Sequence, residues 1–226
     1  MADFLGSDAA LASVVLLLRG AALTLLISAA GILAGFAIAL PVCAARLSRS
    51  VPLRALAAFY VSFFRGVPLL VQLLVIYYLL PFLGLELPGV VAAVIGLAVC
   101  TAAYQAENLR GGFLAVPPGQ VAAAHAFAFS RWQAWRRIVL PQALRAARPA
   151  IVNEMIAILK ASSLISVVGV ADLMRGGQNI VARTQDPIPW YGLAALLYLG
   201  INLGVAALGR RSERFLGRGF AAVTPG

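Results

Sequence analysis

The residues able to do chemistry in this chain are few, and most of them interrupt apolar sequence. Asn153, Glu154, Lys160, Ser162, Ser163 and Ser166 fall close together in one stretch. Asn153, Ala157, Lys160 and Ser163 are spaced by four, three and three, so on a helix they share a face. If Arg148 marks a membrane interface, Lys160 lies roughly 18 Å further along a helix rising about 1.5 Å per residue. Ionisable groups that deep are costly and usually face a cavity or a partner. A small zwitterion needs both cationic and anionic or carbonyl partners, and this face supplies some of them. In the competing reading this helix begins well outside the bilayer and Lys160 snorkels. Arg65 and Gln72 are seven apart around Pro68 and share a face of a helix that Pro68 kinks. A Pro-interrupted span suits a substrate path. Glu107 and Arg110, three apart, either pair or form a gate. No nucleophile–base constellation is visible around the single histidine, His125, and no residues have metal-ligand spacing. The chain therefore reads as non-enzymatic, with no catalytic residue and no metal site. Cys43 and Cys100 lie in apolar runs and imply no disulfide framework.

These groups need a scaffold, and composition names its kind. Of 226 residues 62% are hydrophobic and 12% charged, against about 45–50% and roughly 25% in average soluble domains. The mean hydropathy is +0.93. A net charge of +10 would suggest nucleic acid in a soluble protein, but here the arginines sit between apolar runs. A membrane-topology signal explains them better, and no nucleic-acid partner is expected. A spanning helix needs about 20 mostly apolar residues. Five runs qualify: Ala21 to Ala45, a run within Phe59 to Phe82 interrupted by Arg65 and Pro68, Val90 to Leu109, Ala150 to Val170, and Tyr191 to Leu208. The first connection carries Arg46, Arg49 and Arg54, the third carries Arg110, Arg131, Arg136, Arg137, Arg145 and Arg148, and the tail carries Arg210, Arg211, Arg214 and Arg218. The second has no basic residue, and the fourth sets Arg175 and Arg183 beside Asp172 and Asp186. The positive-inside rule places the basic connections and the C-terminus in the cytoplasm and the N-terminus outside. The fold expected is an all-α membrane protein of five spans in one transmembrane domain, residues 1–226. Asp3 and Asp8 replace a basic n-region, so no cleaved signal peptide is expected. Small residues recur at helical spacing at Gly31, Gly35 and Ala39, at Ala92, Gly96 and Cys100, and at Gly200 and Gly204. Such stripes let membrane helices approach closely, within one chain in preference to a dimer.

The third connection, 114–149, is too long for a plain loop and too rich in Ala and aromatics to be disordered. Gly119 to Phe129 favours a helix. Ser130 and Gln133 form a capping box, so a second helix begins at Arg131 and breaks or kinks near Pro141. Trp132 shares a face with Trp135 and with Arg136. This basic, aromatic element either lies among the lipid headgroups with its arginines snorkelling or presents aromatic side chains to a soluble partner.

The motifs of this connection resemble the cytoplasmic EAA loop of ABC-transporter permeases, within the polar amino acid uptake family. They are the run from Gly119 and Gln120 through Ala122, Ala123 and Ser130, then IVLPQALR and Asn153. FFRGVPLLVQ, AYQAENLRGGF and LKASSL are similar to further motifs of that family, in the same order, over roughly Gly20 to Leu173. The resemblance implies the membrane-spanning permease subunit of an ABC importer, forming half of a translocation pathway for polar amino acids. Its alternatives are an importer of another small solute such as an opine, or an ATP-independent channel or transporter. It implies a second permease subunit, a cytoplasmic ATPase dimer, an extracytoplasmic solute-binding protein, surrounding lipid and a bacterial cytoplasmic membrane. ATP and Mg would be bound by the ATPase, with no cofactor in this chain. The coupling residues it implies are Gly119, Gln120, Ala122, Ala123, Ala124, His125, Phe127, Ala128, Phe129, Trp132, Arg136 and Pro141. The pathway candidates are Arg65, Gln72, Glu107, Asn153, Glu154, Lys160 and Ser163. The loop departs from E-A-A-x-A-x-G, with Ala122 and Ala128 in place of the Glu and the Gly. The Gly is expected to end the docking helix at positive φ, where Ala incurs a cost of order 1 kcal/mol. Ala161 and Ser162 likewise stand where the family has Asp-Thr.

Overall fold

The computed structural model describes residues 8–217. Asp3, Asp8, Arg214 and Arg218, which entered the leader and topology readings, lie outside the residues whose side chains are described. The chain is helical throughout the described residues, in the order α1 (Asp8–Leu47), α2 (Val51–Gly66), α3 (Leu69–Leu74), α4 (Gly89–Leu114), α5 (Pro118–Ala126), α6 (Arg131–Ala134), α7 (Leu140–Ala161), α8 (Leu173–Thr184) and α9 (Pro187–Gly217). Four helical stretches are long and apolar enough to cross a bilayer: Ala9–Leu47, Gly89–Leu114, Arg131–Val168 and Pro187–Arg211. A fifth exists if α2 and the helical turns 69–83 count as one span, though they are bent by 102°.

The first and fourth spans begin earlier than expected, at Ala9 and Arg131, and at two prolines the structure departs from the sequence expectation for a local reason. The helix beginning at Arg131 does not break at Pro141. The five residues Trp135–Val139 form a π-helical turn instead, and α6 and α7 become one continuous stretch through to Val168. The wider turn gives up a regular bond just where the proline ring would have disrupted one. Conversely, the Pro68 region is a break and not a kink. Pro68 has no N–H to continue α2, and it holds Val67 extended at φ −92° and ψ 130°.

The bundle is organised around α4, whose Ala92, Ala93, Leu97, Ala102, Ala103 and Ala106 are fully buried. Small residues set how closely neighbours approach it. A Cβ on Gly35 of α1 would lie 2.7 Å from the Ala98 carbonyl oxygen and 2.6 Å from Thr101 Cβ. One on Gly31 would lie 2.7 Å from Leu97 Cβ, and one on Gly96 2.6 Å from a Leu73 methyl. One on Gly112 would strike the Ala143 carbonyl of α7. The first two glycine stripes are thus closed within the chain, whereas Gly200 and Gly204 face open space. Since lipid is as apolar as leucine, it is this close contact that holds such helices together. The leucines left outside, such as Leu26 and Leu33, face where acyl chains would lie. A second cluster joins α1, α8 and α9 through Leu17, Leu173, Ile180 and Trp190.

Candidate functional site

The break between α2 and α3 creates a polar problem in an apolar setting, because carbonyls at the end of α2 lose their helical partners. Gln72 answers it. Its Nε2 donates to the Phe64 carbonyl at 2.9 Å and to the Val67 carbonyl at 2.8 Å, and the residue is only 4% exposed. The elbow held in this way faces α4 and α7 across a cavity of about 390 Å³ lined by Arg65, Cys100, Tyr104, Glu154, Ala157 and Ile158 among others. The Arg65 guanidinium lies over the Tyr104 ring, 5.1 Å from its centre. This contact stabilises the cation and fixes the plane in which its donors point. Glu154, half-buried on α7, supplies the opposite charge. The cavity therefore carries one fixed cation and one carboxylate between apolar walls, and its size falls in the range of small-molecule sites.

Of the pathway candidates, the fold brings Arg65 and Glu154 together. Asn153 and Lys160 are exposed on α7 and do not line the cavity, although Ala157 of the same face does. The Ser163 hydroxyl is turned back to the Lys160 carbonyl at 3.0 Å. Gln72 does not share a face with Arg65, because the break puts them on different helices, and its amide nitrogen is spent on the elbow. Glu107 lies elsewhere. Its Oε2 accepts from Arg110 Nε at 2.9 Å and Nη2 at 2.7 Å, and its Oε1 accepts from Arg46 Nε at 2.9 Å. The pairing of Glu107 with Arg110 was legible in their spacing, while Arg46, which ties the end of α1 to α4, was not. Tyr104 was also missed as a site residue, although it stands in the AYQAENLRGGF motif.

The connection between α4 and α7 forms a second candidate surface. The α5 helix ends in a paired hydrogen-bond motif: Phe129 N–H donates to the Ala124 carbonyl at 3.0 Å and Ala128 N–H to the His125 carbonyl at 3.0 Å. Ala128 adopts φ 58°, the left-handed conformation that glycine favours. His125 Nδ1 lies 3.3 Å from the Phe129 carbonyl across the same turn. The capping box is complete, with Gln133 N–H donating to Ser130 Oγ at 3.3 Å and Ser130 N–H to Gln133 Oε1 at 2.8 Å. Between these two devices Phe127 is left 80% exposed, alongside exposed Gly119, Gln120, Ala122 and Ala123, whereas Ala124 is buried against its own scaffold. Trp132 and Trp135 stack at 5.2 Å with their planes 17° apart, beside exposed Arg136. Among the described residues no three His, Cys, Asp or Glu side chains come together as a metal site would require.

These features, a helical bundle with a broken span, a charged cavity and an exposed helical connection, define a membrane transport component. A family model described as "Binding-protein-dependent transport system inner membrane component" matches residues 31–218, and the chain belongs to that family. The chain is 40% identical over 184 residues to a probable amino-acid ABC transporter permease, YckA, of Bacillus subtilis, covering 81% of each. It is 34% identical over 201 residues to the arginine transport system permease ArtQ of the same species, covering 88% of this chain and 92% of that one. Among solved structures, an amino acid ABC transporter superposes with a TM-score of 0.83 at 35% identity over 88% of this chain and 93% of the other. The family is one of transport subunits and not of enzymes.

Proposed function

We propose that this chain is the permease of an importer for polar amino acids, with the cavity at the α2–α3 elbow as part of the path. The observation that carries the reading is the placement of Arg65 and Glu154 on opposite walls of one cavity. An α-amino acid presents a carboxylate and an ammonium on adjacent carbons. Arg65 would hold the first and Glu154 the second, each through a charge-assisted hydrogen bond. Tyr104, beneath the guanidinium, positions Arg65. The amino-acid relatives support this choice of solute.

The same reading treats 114–149 as the coupling segment of a single transmembrane domain, residues 1–226, facing the cytoplasm together with the other basic connections. Phe127, with the exposed residues of α5, would dock on a separate ATPase that binds ATP and Mg, while Trp132, Arg136 and Pro141 brace the base of that helix. A second permease subunit completes the pathway, and an extracytoplasmic binding protein delivers the solute. The membrane is a bacterial cytoplasmic membrane. The experiment is a binding measurement on the purified chain with its ATPase, comparing an L-amino acid with the amine left when its carboxylate is removed. Arg65→Gln and Glu154→Gln should each weaken amino-acid binding by about tenfold or more, the amine binding poorly throughout. Unchanged affinity in both variants would exclude the cavity from the path.

A further inference from the structure

The two ends of the elbow cavity differ in chemistry. Gln105 Nε2 donates to the Ile151 carbonyl at 3.2 Å and Asn108 Nδ2 to the Ala150 carbonyl at 3.3 Å, so α4 and α7 run antiparallel beside the cavity. In that register Tyr104 and Glu154 stand near one level, and Cys100 and Ile158 each stand one turn further along. Glu154, Ala157, Ile158 and Ala161 recur at helical spacing, so one face of α7 forms the wall. Ala161 lies two turns beyond Glu154, about 10 Å along a helix rising about 1.5 Å per residue.

The near end therefore holds everything charged. Arg65 and Glu154 are the charged residues of the lining, and Arg65 rests on Tyr104. The far end is walled by Cys100, Ile158 and Ala161. Cys100 and Ile158 are buried members of the apolar core of the bundle, and Leu69 of the elbow packs against the same core. The elbow carbonyls of Phe64 and Val67 already accept from Gln72. An α-amino acid whose head group engages Arg65 and Glu154 has its side chain directed along the lining toward this far end. A charge carried there would leave water without meeting an opposite charge, which is costly, whereas a neutral side chain meets no such penalty. We propose that the cavity selects amino acids with uncharged side chains, the side chain lying against Cys100, Ile158 and Ala161. This names the solute class within the transport reading given above and rests on that reading.

The test is binding to the purified chain with its ATPase, without a solute-binding protein, so that the cavity alone discriminates. Two near-isosteric pairs separate charge from size: glutamine against glutamate, and citrulline against arginine. The uncharged member of each pair should bind more tightly by about tenfold or more. Ala161→Asp places a carboxylate at the far end and should narrow the preference for citrulline over arginine by about tenfold. Ala146→Asp, exposed on α7 outside the cavity, should leave that preference unchanged. If Ala161→Asp does not fold, the two pairs on the unaltered chain decide. Equal affinity within both pairs would overturn the proposal, as would tighter binding of arginine or glutamate than of its neutral counterpart. A folded Ala161→Asp chain with an unchanged preference would place the side chain elsewhere and overturn it as well. Each affinity is also read in Arg65→Gln. Binding that this variant weakens, but that ignores side-chain charge, would overturn the present proposal and leave the transport reading standing. Affinities indifferent to Arg65→Gln would overturn both.

Discussion

Replacing Ala128 with glycine should stabilise the end of α5, by an amount that can be worked out. Ala128 holds φ 58°, and the left-handed region costs an L-residue about 1–2 kcal/mol from the approach of Cβ to the following carbonyl. Glycine escapes that cost but forfeits about 0.5–1 kcal/mol by being freer in the opened state. The net gain is about 0.5–1 kcal/mol, confined to the turn and the helix it closes. Opening of α5 should become correspondingly rarer, and the Phe127, Ala128 and Phe129 amides, which donate to Ala123, His125 and Ala124, should exchange about two- to fivefold more slowly. Hydrogen exchange of the peptide covering 118–130 is the assay, with α4 as the internal reference. Ala122→Gly is the opposing control. That residue is within the helix, so glycine there should speed exchange by a similar factor. If Ala128→Gly left exchange unchanged, or quickened it, the turn would carry no strain and the reasoning from φ would fail. In the coupled transporter, Ala128→Gly combined with Ala122→Glu, which restores E-A-A-x-A-x-G, should also raise transport-coupled ATP hydrolysis; no change would mean that these two departures do not weaken coupling.

Three further outcomes are expected. Gly35→Ala should destabilise the bundle by about 1–3 kcal/mol, since its Cβ meets the Ala98 carbonyl and Thr101, while Gly204→Ala should leave the isolated chain unchanged; thermal unfolding of the purified chains compares them. Gln72→Leu should cost about 2–4 kcal/mol by stranding two carbonyls, and protease susceptibility near Val67 should rise in step. Glu107→Ala should cost about 1–2 kcal/mol, moderated by partial solvent access, and a cycle with Arg46→Ala should show coupling of about 1 kcal/mol; additive effects would mean that the ion pair contributes nothing.

What could be read in advance followed from interactions that are short-range along the chain. Bilayer thickness sets the length of the apolar runs, so the spans stand out. Ser130 and Gln133 announce their capping box because both partners lie within one turn. Ala128 could be singled out only through the resemblance, because it stands where the EAA-loop motif has glycine. The 102° elbow could not be read this way. Pro68 says that a helix stops, while the angle depends on which carbonyls Gln72 reaches once α3 is packed. The π-helical turn before Pro141 was equally hidden, since a wider turn and a break satisfy the same proline. Arg46 and Glu107 are 61 residues apart, with nothing local to pair them. The cavity itself emerges only from tertiary packing, because Arg65, Tyr104 and Glu154 come from three different helices.

The uninterrupted helical path from Arg131 to Val168 has a mechanical consequence. Its 38 residues make a lever about 57 Å long, at about 1.5 Å per residue. Glu154 sits along its upper half, and the capped turn at Ser130 marks its lower tip. A rotation of only about 5° about one end sweeps the other through about 5 Å, nearly one helical pitch. On the coupling reading proposed above, the π-helical turn at Trp135–Val139 lies in the shaft between that tip and the wall that carries Glu154.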